Sequence, residues 1–155
     1  MKRNRPINTS LLATALAAIG SLASAQAGSF FADFNDGLVP ANATAYGNAN
    51  VQGSGGYTNS GFLELTPAIG SQNAGFILND LDAGVPVVSF TASYKCLIGG
   101  GGYNGADGMS FNFASDLPAG TISQEGAGTG LTVEFDTFDN GLPDTAPSID
   151  VMVGG

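Results

Sequence analysis

The chain contains no histidine and no tryptophan, one cysteine, and four basic residues against 13 Asp and Glu. Each shortage excludes something. Without histidine there is no Ser-His-Asp or Cys-His nucleophile system, because the general base of those mechanisms is missing. A lone Cys96 cannot close an internal disulfide. Three of the four cations, Lys2, Arg3 and Arg5, fall in the first five positions, so their removal takes the net charge from −9 to −12 and leaves only Lys95. Such a surface repels phosphate and argues against nucleic acid or anionic membranes as partners. Scarce Lys, Arg and Glu beside 24 Gly argue against a helical bundle, and a 43% hydrophobic content separates the chain from disordered sequences. A length of 155 residues fits one domain.

Long apolar runs are also lacking. The basic start is followed by a short apolar stretch, LLATALAA at 11–18, and by small residues at Ala23-Ser24-Ala25 and Ala25-Gln26-Ala27. This order predicts a secretory signal peptide over residues 1–27 with two overlapping A-x-A cleavage sites. A membrane anchor would need about 20 apolar residues; Gly20, Ser21 and Ser24 interrupt this run well before that. The expected product is a domain over residues 28–155, exported to the periplasm, the cell exterior or the cell surface, with no transmembrane span.

Turn-forming clusters recur about every ten residues. Between them, strands are expected at 29–34, 62–66, 74–78, 87–98, 109–114, 130–138 and 148–153. Short strands at this spacing, without a sustained 3.6-residue period beyond the leader, predict an antiparallel β-sandwich of the jelly-roll kind. GNANVQGSGG and GGGGYNGADG read as loops. In VVSFTASYKCLI the apolar residues alternate with polar ones, which predicts Cys96 as a buried thiol on the inner face of a strand. Residues 148–153 form a last strand followed by two glycines, an ending that would leave an open sandwich edge. The expectation is an N-terminal portion of a longer domain, with C-terminal strands lying beyond it.

The most informative stretch is TVEFDTFDNGLPD at 132–144. Leu131, Val133 and Phe135 alternate with Glu134 and Asp136, so the two carboxylates share one strand face about 7 Å apart. Their repulsion is roughly 2 kcal/mol at an effective dielectric near 20. Five acids, Glu134, Asp136, Asp139, Asp144 and Asp150, fall within seventeen residues, and Lys95 can answer only one of them. Calcium takes oxygen ligands from carboxylates, Asn side chains and carbonyls, all supplied here. The alternative is a solvated acidic face.

ADGMSFNFA at 106–114 and GAGTGLTVEFDTFDN at 126–140 resemble the concanavalin A-like, legume-lectin-type lectin/glucanase superfamily. The chain is closest to its bacterial, exported laminin-G-like members, in which GADG, VEFDTxDNG and APxIDVxVGG recur. FFADFNDG, FLELT and VVSFTASY follow the order of that superfamily's opening strands. The resemblance covers residues 29–155 and, because members run longer, implies a truncated domain. It implies metal ligation by Glu134, Asp136, the carbonyl of Phe138, Asn140 and Asp144. The transition-metal half of the lectin site uses a histidine that this chain lacks, which leaves Ca2+ as the implied cofactor. A carbohydrate or glycoconjugate partner is implied at Asp107, the turn Gly126, Ala127 and Gly128, Phe138 and Asn140, with a cis bond between Ala106 and Asp107.

Two other functions stay open. Laminarinase-type hydrolases of the same superfamily place three carboxylates on one strand, which here would be Glu134, Asp136 and Asp139. Retaining hydrolysis wants two carboxyls about 5 Å apart, whereas Asp139 falls on the opposite strand face, and no tryptophan is present as a sugar platform. The other is a secreted or surface adhesion module with a vestigial site.

Overall fold

The computed structural model describes residues 28–99, 105–141 and 145–154. The leader and Asp144 lie outside the described residues. Among these the fold is all-β and antiparallel, with a single 3-10 turn at Tyr57–Asn59 and no helix long and apolar enough to cross a membrane. Strand β1 (Ala43–Gly47) pairs with β4 (Ala74–Leu78), and β2 (Asn50–Gln52) pairs with β3 (Phe62–Glu64). Strands β5 (Gly108–Phe113), β6 (Leu131–Asp136) and β7 (Ser148–Val153) form a three-stranded sheet with β6 in the middle.

Register divides this last sheet cleanly by chemistry. Met109, Phe111 and Phe113 stand opposite Phe135, Val133 and Leu131, which in turn face Ile149, Val151 and Val153. The alternate positions are Gly108, Ser110 and Asn112, then Asp136, Glu134 and Thr132, then Ser148, Asp150 and Met152. Because side chains alternate along a strand, one face is apolar and the other carries nearly all the polar groups.

The apolar face is covered at one side by aromatic contacts. The Phe90 ring stacks on Phe113 with centroids 4.3 Å apart, and Tyr94 stacks on Phe111 at 6.0 Å. As the chain advances from 90 to 94 its partners retreat from 113 to 111, so this segment runs antiparallel to β5. Burial lifts the Tyr94 phenol above its ordinary value, and the nearby Cys96 thiol adds to the effect. At the β7 side the face is open: Ile149 and Val151 are each 66% exposed. Among the described residues Val51 is the one buried large apolar side chain, and even it keeps 7% exposure.

The expected strands at 74–78 and 148–153 are present with those bounds, that at 109–114 is shifted by one residue to 108–113, and those at 62–66 and 130–138 are present but shorter. Residues 29–34 and 87–98 form no ladder. The latter segment leans on β5 through its rings rather than through backbone hydrogen bonds. Cys96 is exposed, not buried, because the ring contacts that hold this segment to β5 reach Tyr94 and go no further. Strands β1 and β2 were hidden in the sequence: β2 lies inside the Gly- and Asn-rich run read as a loop. Sheet edges are stitched by loop bonds, with Ile122 N–H donating to Ala74 carbonyl at 3.1 Å and Gly61 N–H to Asn35 Oδ1 at 2.7 Å.

If the aromatic ladder fastens residues 87–98, Phe90→Ala should cost about 1–2 kcal/mol in urea unfolding. Val88→Ala, at a side chain 95% exposed, should stay within about 0.5 kcal/mol.

Candidate functional site

The polar face of β5-β6-β7 gathers the residues singled out above. Glu134 stands directly opposite Asp150, and Asp136 opposite Ser148. Facing residues on paired strands have Cβ atoms about 5 Å apart, and like charges there are destabilising. The Ser148 hydroxyl donates to the Asp150 carboxylate. Asp136 is only 8% exposed, at the end of the central strand. Its Oδ1 accepts the Phe138 N–H at 3.0 Å, which turns the chain out of the sheet two residues before the expected strand end.

That turn sets the loop donors. Asn140 Nδ2 lies 3.4 Å from the Phe138 carbonyl oxygen, and Asp139 Oδ1 accepts the Gly141 N–H at 2.7 Å. Asp139 is therefore a loop residue beyond β6 and does not share a strand with Glu134 and Asp136, so the three carboxylates required for hydrolysis are not aligned. Among the described residues no three His, Cys, Asp or Glu side chains converge on one metal position. The donor chemistry is nonetheless that of a hard cation: a buried Asp, a Glu beside it, a carbonyl and an Asn, all oxygen.

Asp107 lies at the same end of the sheet, exposed and immediately before Gly108, which faces Asp136. Its carbonyl accepts both the N–H and the hydroxyl of Thr137 at 2.9 Å, tying the loop before β5 to the exit of β6. The Ala106–Asp107 peptide bond is cis.

The turn Gly126-Ala127-Gly128 lies at the other end. Asn112 Oδ1 accepts the Ala127 N–H at 3.0 Å and the Thr132 hydroxyl at 2.8 Å, while Asn112 Nδ2 donates to Ser110 Oγ at 2.9 Å. Gly126 has φ +92°, and a Cβ on it would stand 2.5 Å from Asn112 Oδ1, so the turn can approach the strand this closely only as glycine. A shallow hollow of about 210 Å³ opens between this turn, Glu125, Thr132 and Met152. Asn112 follows Asp107 by five strand positions, about 16 Å. The expected sugar residues thus fall into two groups: Asp107, Phe138 and Asn140 near the acids, and Gly126, Ala127 and Gly128 at the far end.

Sequence reasoning missed three participants. Asp150 was counted among the acids but not assigned to the face, and Asn112 and Thr132 were not singled out. The alternation of Ser148, Asp150 and Met152 with Ile149, Val151 and Val153 was the available signal for the first. No protein-family model, curated protein or solved structure matches the chain.

Asp116 anchors the return of the Gly126–Gly128 turn into β6. Its Oδ1 accepts the Thr129 N–H at 2.9 Å, and hydrogen bonds from Thr129 hold its carboxyl below the ordinary Asp value. A depressed folded value gives an interaction that is complete above the unfolded Asp value, about 3.9, and is lost as pH falls through the folded one. The protection of the Thr129 amide relative to its intrinsic exchange at each pH, measured by NMR, should therefore fall on acidification through that window. Asp116→Asn should flatten the dependence.

Proposed function

We propose that this chain is an exported carbohydrate-binding domain on a jelly-roll sandwich of the concanavalin A-like kind, with calcium supporting the sugar site. One observation carries the reading: a face of the sheet on which three carboxylates gather. Glu134, Asp136 and Asp150 lie on the same side of adjacent strands, and Asp136 is buried. Lys95 is the only basic side chain in residues 28–155, and its ammonium sits 4.3 Å above the Tyr57 ring. Oxygen donors gathered in this way suit calcium.

Calcium would be held by the Glu134 and Asp136 carboxylates, the Phe138 carbonyl and Asn140, with Asp144 as the fifth expected ligand. Bound there, it would neutralise the strand carboxylates and fix the 138–141 loop. Asp107 and Asn140 then offer an acceptor and a donor for neighbouring sugar hydroxyls, and the Phe138 ring offers an apolar surface to the C–H face of a sugar. The loop position of Asp139 favours binding over hydrolysis.

Calcium at 100 times its dissociation constant stabilises a protein by about 2.7 kcal/mol. For a domain of this size that is a rise of roughly 5–10 °C in Tm, reversed by chelation. Glu134→Gln and Asp136→Asn should each abolish the rise, and a calcium-independent Tm would sink the proposal. On a glycan array with calcium present, the wild-type protein should retain a sugar class that Asp107→Ala loses.

A further inference from the structure

The backbone of Gly28 makes a contact that neither the acidic face nor the sugar groups use. Its N–H donates to Asp82 Oδ1 at 2.6 Å across 54 residues of chain, in a part-buried position. This is at the short end for an N–H to carboxylate bond. The acceptor is held in place: the Asp82 N–H donates to Asp80 Oδ1 at 2.9 Å, and the Asp82 carbonyl accepts the Val85 N–H at 2.8 Å. Gly28 also lies flat against the same turn. A Cβ on it would stand 2.4 Å from the Leu81 carbonyl oxygen and 2.6 Å from the Leu81 Cβ, so any side chain would push the segment off Asp82.

The sequence offers two overlapping small-residue sites just upstream, ending at Ala25 and at Ala27. They are not equivalent in consequence. Hydrolysis after Ala25 would leave Gln26 and Ala27 in front of Gly28, and its nitrogen would remain an amide with one donor. Hydrolysis after Ala27 would free that nitrogen.

We propose that the Ala27–Gly28 bond is the processing site of the exported chain and that the Gly28 α-ammonium it releases docks on the Asp82 carboxylate. The inference rests on the leader reading. In the reaction, catalysed by a leader peptidase, water adds across the peptide bond. The C–N bond breaks, Ala27 takes the water's oxygen and leaves as a carboxylate, and the Gly28 nitrogen takes up both of the water's protons to become an ammonium. One amide donor becomes three, and a neutral hydrogen bond becomes an ion pair with a group whose ordinary pKa is about 7.7–8.0. The domain gains its second cation beside Lys95, already placed against an Asp80–Asp82 acid pair. Glycine at position 28 serves both steps, as a small residue after the scissile bond and as the only residue that fits against Leu81.

The test is expression of the full 155-residue chain in a host with a secretory pathway, followed by intact mass and N-terminal sequencing of the exported product. A start at Gly28 is expected. A start at Gln26 overturns this inference and leaves the leader reading standing, whereas an uncleaved chain overturns the leader reading itself. The second measurement is the rate at which an amine-reactive acylating reagent labels the Gly28 α-amine at pH 7. Asp82→Asn should raise that rate about tenfold, the equivalent of one pH unit in the amine's titration. Wild-type protein in 1 M salt should move toward the variant's rate as the ion pair is screened. Equal rates for wild type and variant at low salt would show that the amine does not dock on Asp82.

Discussion

The pairing register of β6 between β5 and β7 is the constraint on which the rest depends. It sets Val133 between Phe111 and Val151, and Glu134 between Ser110 and Asp150. A slip by one residue would exchange the two faces, sending Glu134 and Asp136 into the apolar side and three large hydrophobic residues into water. Stacking of Phe90 and Tyr94 on β5 and the loop bonds onto Asn112 act on opposite faces of the same strand, so both resist such a slip. The acidic face is a by-product of hydrophobic alignment: packing on one side decides which carboxylates meet on the other.

The arrangement is electrostatically unusual because, among the described residues, no Lys or Arg side chain lies on that face. Acid clusters in folded proteins are commonly answered by Arg or Lys, whose attraction makes up for repulsion between neighbouring carboxylates. Here the single Lys95 stacks on Tyr57, and Asp150 accepts its hydrogen bond from a neutral Ser148 hydroxyl. An external cation would act on the sheet and the loop at once, because Asp136 belongs to the strand while its Oδ1 holds the Phe138 amide that begins the loop.

Much of this was legible in the amino-acid sequence wherever a period of two ran for six residues. Alternation in MSFNF, LTVEFD and SIDVMV is strong enough to fix the strand, its faces and its neighbours in chemistry. It failed where alternation is not matched by pairing. Residues 87–98 carry a fine strand pattern, yet what holds them is ring stacking by Phe90 and Tyr94, and Cys96 lies in solvent. The opposite failure is ATAYG with NVQ, short strands of small and polar residues whose backbone pairing is invisible to a hydropathy pattern. For the site, strand geometry gave the shared face of Glu134 and Asp136. Three-dimensional register was needed to set Asp150 directly opposite Glu134 and to separate Asp107 from the Gly126–Gly128 turn.

The open side of the sheet has a colloidal consequence. Strand β7 presents Ile149, Val151 and Val153, the last 81% exposed, in a β-conformation that another chain could pair with. Among the described residues no layer covers these three, so what keeps two copies apart is their mutual charge, −9 for the whole chain at neutral pH. Dispersion of this protein is therefore governed by ionisation of its carboxylates. Acid and multivalent cations both lower that charge, so the ion that would order the acidic face would also weaken the barrier between copies.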